Sequence, residues 1–75
     1  MKKLSVIIAN RHSTSISLEP EFIEELRIIA SKSNLTINEL VTQIDSERQR
    51  ENLSSTIRVY ILKQLKKQIS QNYPL

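Results

Sequence analysis

The sequence predicts a mainly α fold in which one short N-terminal strand, pairing antiparallel across a dimer, precedes two to three helices. Three observations carry this prediction. Residues 12–18 alternate polar and apolar side chains with the two-residue period of a strand, whereas later segments repeat their apolar residues every three to four positions. The chain has 75 residues, few enough that a core of its own would be marginal. It has no cysteine, and its single histidine has no carboxylate cluster around it, so neither disulfides nor a structural metal would staple the fold. A second copy is the remaining source of core.

Residues 1–11 read as a basic arm, with Lys2, Lys3 and Arg11 and no acid. Its apolar run, Leu4 to Ala9, is interrupted by Ser5 and is too short for a secretory core or a membrane span, so a cytosolic protein without membrane contact is expected. Glycine is absent, and Asn10, Asn34 and Asn52 are the expected left-handed joints between segments.

The strand reads His-Ser-Thr-Ser-Ile-Ser-Leu over residues 12–18, rich in β-branched and small polar residues, and ends before Glu19-Pro20. Its period puts Thr14, Ile16 and Leu18 on a buried face and Arg11, Ser13, Ser15 and Ser17 on a polar one. No partner strand is evident in the same chain. Helix 1 begins near Pro20, which loses nothing by lacking an amide hydrogen in a first turn, and Glu19, Glu21, Glu24 and Glu25 suit the positive end of the helix dipole. Phe22, Ile23, Leu26, Ile29 and Ala30 form its stripe. Thr36 with Glu39 is a capping box, and Leu35 with Leu40 a hydrophobic staple, for helix 2. Its stripe is Ile37, Leu40, Val41 and Ile44, and it frays after about Glu47. Ser54 or Ser55 caps a third helix whose apolar set, Ile57, Val59, Tyr60, Ile61, Leu62, Leu65 and Ile69, is too broad for one stripe and implies a subunit contact. The domain is thus expected over 12–69, with a loose tail over 70–75.

Formal net charge is +3, unevenly placed. Seven acids between Glu19 and Glu47 face only Arg27 and Lys32, whereas six bases from Arg48 onward face only Glu51. Basic ends fit a polyanion partner. Lys63, Lys66 and Lys67 share one helical face and read as solvated. Without glycine there is no phosphate-binding loop, and no nucleophile has a base and an orienting acid, so no enzyme, cofactor or metal is expected.

The strings Thr-Ser-Ile-Ser-Leu-Glu-Pro-Glu-Phe, from Thr14 to Phe22, and Asn-Leu-Ser-Ser-Thr-Ile-Arg, from Asn52 to Arg58, resemble the two signature blocks of short bacterial ribbon-helix-helix DNA-binding proteins. With the spacer between them the resemblance covers residues 12–65. It implies an intertwined homodimer, probing double-stranded DNA with a ribbon made of one strand from each subunit. The base-contacting set is then Ser13, Ser15 and Ser17 with Arg11 at its edge, and a two-stranded ribbon fits the major groove. Serine hydroxyls read permissively, each discriminating less than the roughly 1–3 kcal/mol of a bidentate contact. The resemblance also implies phosphate contacts at a helix start. Connectivity points to Thr36 and Asn38, the second block to Ser54, Ser55 and Arg58, and of the two the start at Thr36 is the one expected to face the DNA. The dimer core would be Thr14, Ile16, Leu18, Phe22, Leu26, Ile57 and Ile61. A transcriptional repressor is the leading function, and the alternative is an adaptor or the antitoxin of a toxin pair.

Overall fold

The computed structural model describes residues 1–9, 11–48 and 52–72. Strands β1 (Lys2–Ile8) and β2 (His12–Leu18) are followed by helices α1 (Pro20–Lys32), α2 (Ile37–Ser46) and α3 (Leu53–Asn72). Among the described residues no helix is long and apolar enough to cross a membrane.

The mainly helical architecture is as expected, but the ribbon is assembled differently. β2 has a partner in its own chain: β1 pairs with it antiparallel, in register from Lys2↔Leu18 to Ile8↔His12. The segment expected as an arm therefore holds a strand. Leu4, Val6 and Ile8 alternate with Lys3, Ser5 and Ile7, and the first row turns to the core, where Val6 is buried and its two neighbours half-buried. The connection closes when the Arg11 amide donates to the Ile8 carbonyl at 3.1 Å. Ala9 takes the left-handed backbone there, with φ 54°, while Asn10 lies outside the described residues.

α1 starts with Pro20 after an extended Glu19, and Ser33 closes it. Asn34 is left-handed as expected, with φ 57°, which lets the Leu35 amide reach back to the Ala30 carbonyl at 2.9 Å. The capping box of α2 forms: the Glu39 amide donates to Thr36 Oγ1 at 3.1 Å and the Thr36 amide to Glu39 Oε1 at 2.8 Å. Asn52, expected as a joint, caps α3, its Oδ1 accepting from the Ser55 amide at 3.1 Å. Ser54 and Ser55, expected as caps, thus lie within the first turn. Asparagine caps as well as serine does, and its use here frees the Ser54 hydroxyl for the sheet. The helix continues past the expected boundary at Ile69 to Asn72.

One core joins the elements. Val6, Ile16 and Leu18 come from the sheet, Ile23, Leu26, Ile29 and Ala30 from α1, Leu40, Val41 and Ile44 from α2, and Ile57 and Ile61 from α3. Five of the residues expected between subunits, Ile16, Leu18, Leu26, Ile57 and Ile61, are therefore fully covered by their own chain, while Thr14 and Phe22 are half-buried. The physical reason is twofold: β1 adds a second apolar row to the sheet, and α3 packs on β2, α1 and α2, so that together they supply the cover expected from a partner. Surface apolar residues remain on α3, where Leu62 is 50 % and Ile69 56 % exposed.

Candidate nucleic-acid interface

The hairpin has one covered and one open face. In an antiparallel ladder directly opposed residues share a face, so Lys3, Ser5 and Ile7 of β1 lie beside Ser17, Ser15 and Ser13 of β2. Of these six only Ser17 is half-buried; the others are exposed, Ile7 at 44 %. The polar face inferred from the period is thus real, with Arg11 exposed just before β2. Sequence reasoning missed its second row. The signal was the β-branched run Val6-Ile7-Ile8, separated from β2 by three residues that include an asparagine, which is a hairpin pattern.

The edges differ in how they are closed. Along β1, the Ile7 amide donates to Asn38 Oδ1 at 3.1 Å and the Ala9 amide to Thr42 Oγ1 at 3.0 Å, so α2 caps this edge with side chains. These bonds also fix the ladder's phase. An Ile7 amide turned outward makes Ile7↔Ser13 a non-hydrogen-bonded pair, and the two-residue period extends this to Ser5↔Ser15 and Lys3↔Ser17. The backbone groups of Ser13, Ser15 and Ser17 therefore point away from β1. At Ser17 they are taken: its amide donates to Ser54 Oγ at 3.2 Å and its carbonyl accepts from Arg58 Nη2 at 3.4 Å. At Ser13 and Ser15 no partner occurs among the described residues, leaving a short open edge beside exposed hydroxyls.

The two candidate helix starts flank opposite edges. Thr36 and Asn38 sit beside β1, Thr36 engaged with Glu39 and Asn38 with Ile7. Ser54 sits beside β2, in a shallow groove lined by Ser15, Ser17, Arg48, Asn52, Ser54 and Arg58. Arg58 organises this end. Its Nε donates to Glu19 Oε1 at 3.0 Å, Nη2 reaches Met1 Sδ at 3.7 Å, and the guanidinium lies 6.0 Å from the Phe22 ring centroid. Glu19's own backbone amide first, and Arg58 second, hold the Glu19 carboxyl below the ordinary glutamate value. Arg48 pairs with Asp45 at 3.2 Å. Among the described residues no group of histidine, cysteine and acids is placed to hold a metal ion.

An open hydroxyl face with an exposed lysine on its outer strand and no acid in residues 1–18 is suited to an anionic, hydrogen-bonding surface. No curated protein and no solved structure matches the chain. The ribbon-helix-helix domain, which characterises a family of DNA-binding transcription regulators, matches residues 1–65. With that match spanning most of its length, and with a ribbon followed by packed helices, the chain belongs to the ribbon-helix-helix domain family.

Proposed function

We propose that this protein binds double-stranded DNA as a homodimer and represses transcription by occupying a short two-fold-symmetric site, with the outer face of β2 turned into the major groove. The carrying observation is the open Ser13 to Ser15 edge adjoining exposed hydroxyls, in a chain of a DNA-binding family. Unpaired strand edges recruit another strand. Because the Ser17 backbone is occupied, the register that makes most use of the remaining edge sets Ser13 of one subunit opposite Ser15 of the other, with the two-fold at Thr14 and four new backbone bonds. Leu62 and Ile69 on α3 supply further apolar surface for the second subunit. The same two residues favour the adaptor or antitoxin reading, in which a different protein covers them. A Leu62→Glu variant that keeps full dimer affinity and DNA binding would favour that second reading.

Base recognition falls to Ser13 and Ser15, with Arg11 at the edge. Ser17 is half-buried and tied to α3 by its backbone, so its part is smaller. For phosphate, the α3 start with Ser54, Ser55 and Arg58 lies beside the reading strand, which favours it over Thr36 and Asn38 beside β1. The test is equilibrium binding to a duplex selected from a random pool and to its scrambled version. Ser13→Ala and Ser15→Ala are expected to fold normally, to lose affinity for the selected duplex and to retain it for the scrambled one. Unchanged affinity of both variants for the selected duplex would reject the ribbon as the reading surface.

A further inference from the structure

We propose that β1 is a phosphate-binding strand, in which Lys3 clamps the DNA backbone at the rim of the groove that β2 enters. The proposal rests on the dimeric docking above and adds a contact that the serine row cannot make. Pairing two hairpins through β2 produces a four-stranded sheet in the order β1-β2-β2-β1. Neighbouring strands lie about 4.8 Å apart, so the two inner strands span about 5 Å and the two outer strands about 14 Å. The major groove of B-form DNA is about 12 Å wide. The inner strands therefore fit within it, and the outer strands come over its two phosphate walls.

The side chains on those outer strands suit that position. The outward row of β1 is Lys3, Ser5 and Ile7, and it faces the same way as the serine row because each is directly opposed to a β2 serine in the register. Lys3 is exposed and forms no ion pair among the described residues. No acid occurs in the whole hairpin, and Glu24 of α1, which lines a cleft with Lys3, forms no ion pair with it among the described residues. A compact ammonium on a flexible stem suits a phosphate, whose position varies with sequence, better than a base edge. Lys3 is also opposite Ser17, at the end of the sheet where Ser54 and Arg58 meet β2, so the contact would lie next to the proposed anchor at the α3 start. Ser5 adds a hydroxyl one step inward. Lys2 provides an internal control: it carries the same charge but belongs to the opposite row, with Leu4 and Val6, on the helix side of the sheet.

The test is a salt titration of full-length dimer on a mixed-sequence 20-base-pair duplex and on the selected duplex, comparing wild type with Lys3→Ala, Lys2→Ala and Lys3→Arg. Each phosphate contact contributes about 0.9 to the slope of log affinity against log salt, so losing one from each subunit reduces the slope by about 1.8. Lys3→Ala is expected to show that reduction on both duplexes equally, with Lys3→Arg near wild type and Lys2→Ala nearly unchanged. Equal losses for Lys2→Ala and Lys3→Ala would mean that diffuse charge and not a contact is at work, and would overturn the proposal. So would an unchanged slope in Lys3→Ala. Either result, obtained while Ser15→Ala still loses selected-duplex binding, leaves the groove reading standing and removes only the role of β1. A wild-type chain that binds neither duplex overturns both.

Discussion

Breaking the two side-chain bonds that pin β1 to α2 should loosen the hairpin without unfolding the core. Asn38→Ala removes the acceptor for the Ile7 amide and Thr42→Val the acceptor for the Ala9 amide. Thr42 Oγ1 also donates to the Asn38 carbonyl at 2.8 Å, so the second variant loses two bonds. An intramolecular hydrogen bond contributes about 0.5–1.5 kcal/mol net, and these lie at the exposed edge where water can replace the lost partner, so about 0.5–1 kcal/mol per variant is expected. Both bonds hold the same strand two residues apart, and the double variant should therefore fall short of the sum. For a chain of this size 1 kcal/mol corresponds to roughly 4–8 °C in Tm, read at one fixed concentration because association shifts it. Amide hydrogen exchange gives the sharper readout: protection should drop at Ile7 and Ala9 while that of Ile57 and Ile61 persists. Protection at Ile7 and Ala9 that is unchanged in the double variant would refute the edge cap.

Ala9 holds a left-handed backbone in the hairpin turn, and Ala9→Gly should raise stability by about 0.5–1 kcal/mol in denaturant unfolding through relief of that conformation. Ile16→Asp puts a charge among fully buried side chains and should abolish cooperative folding, which circular dichroism will detect as loss of the helical signal. Acid should destabilise the fold in a defined window. The Thr36 amide first, and its hydroxyl second, hold the Glu39 carboxyl below the ordinary glutamate value of 4.5, and Glu19 is lowered likewise. A lowered value means that the ionised form is favoured by folding, so this stability is complete above 4.5 and is lost as pH falls through the lowered values. Unfolding midpoints measured against pH should show that fall in wild type, and a smaller one in Glu39→Gln.

Much of the helical part was legible because its signals are local. Thr36 and Glu39 are three residues apart and their capping bonds need nothing else; Asn34 needs only its own backbone; Ile23, Leu26, Ile29 and Ala30 declare one face by spacing. The strand's two faces followed from Ile16 and Leu18 by the same reasoning. β1 was obscured because Ile7 interrupts the alternation, giving a run that looks uniformly apolar, and because its identity depends on a register with residues up to sixteen positions away. The choice of Asn52 over Ser54 or Ser55 as the α3 cap is not legible locally for a related reason. All of Asn52, Ser54 and Ser55 are competent caps, and what decides among them is a distant event, the Ser17 amide claiming the Ser54 hydroxyl. Arg58 likewise has partners, Glu19 and Ser17, that only the fold brings near.

Stoichiometry is the most direct test of the ribbon dimer. Sedimentation equilibrium of the chain alone and with a 20-base-pair duplex measures it. Two chains of 8.7 kDa should give about 17.4 kDa free at micromolar concentration, and the complex should hold two chains per duplex at the lowest protein-to-DNA ratio that binds. A folded 8.7 kDa species that binds DNA one chain at a time would contradict the ribbon dimer and the groove docking built on it.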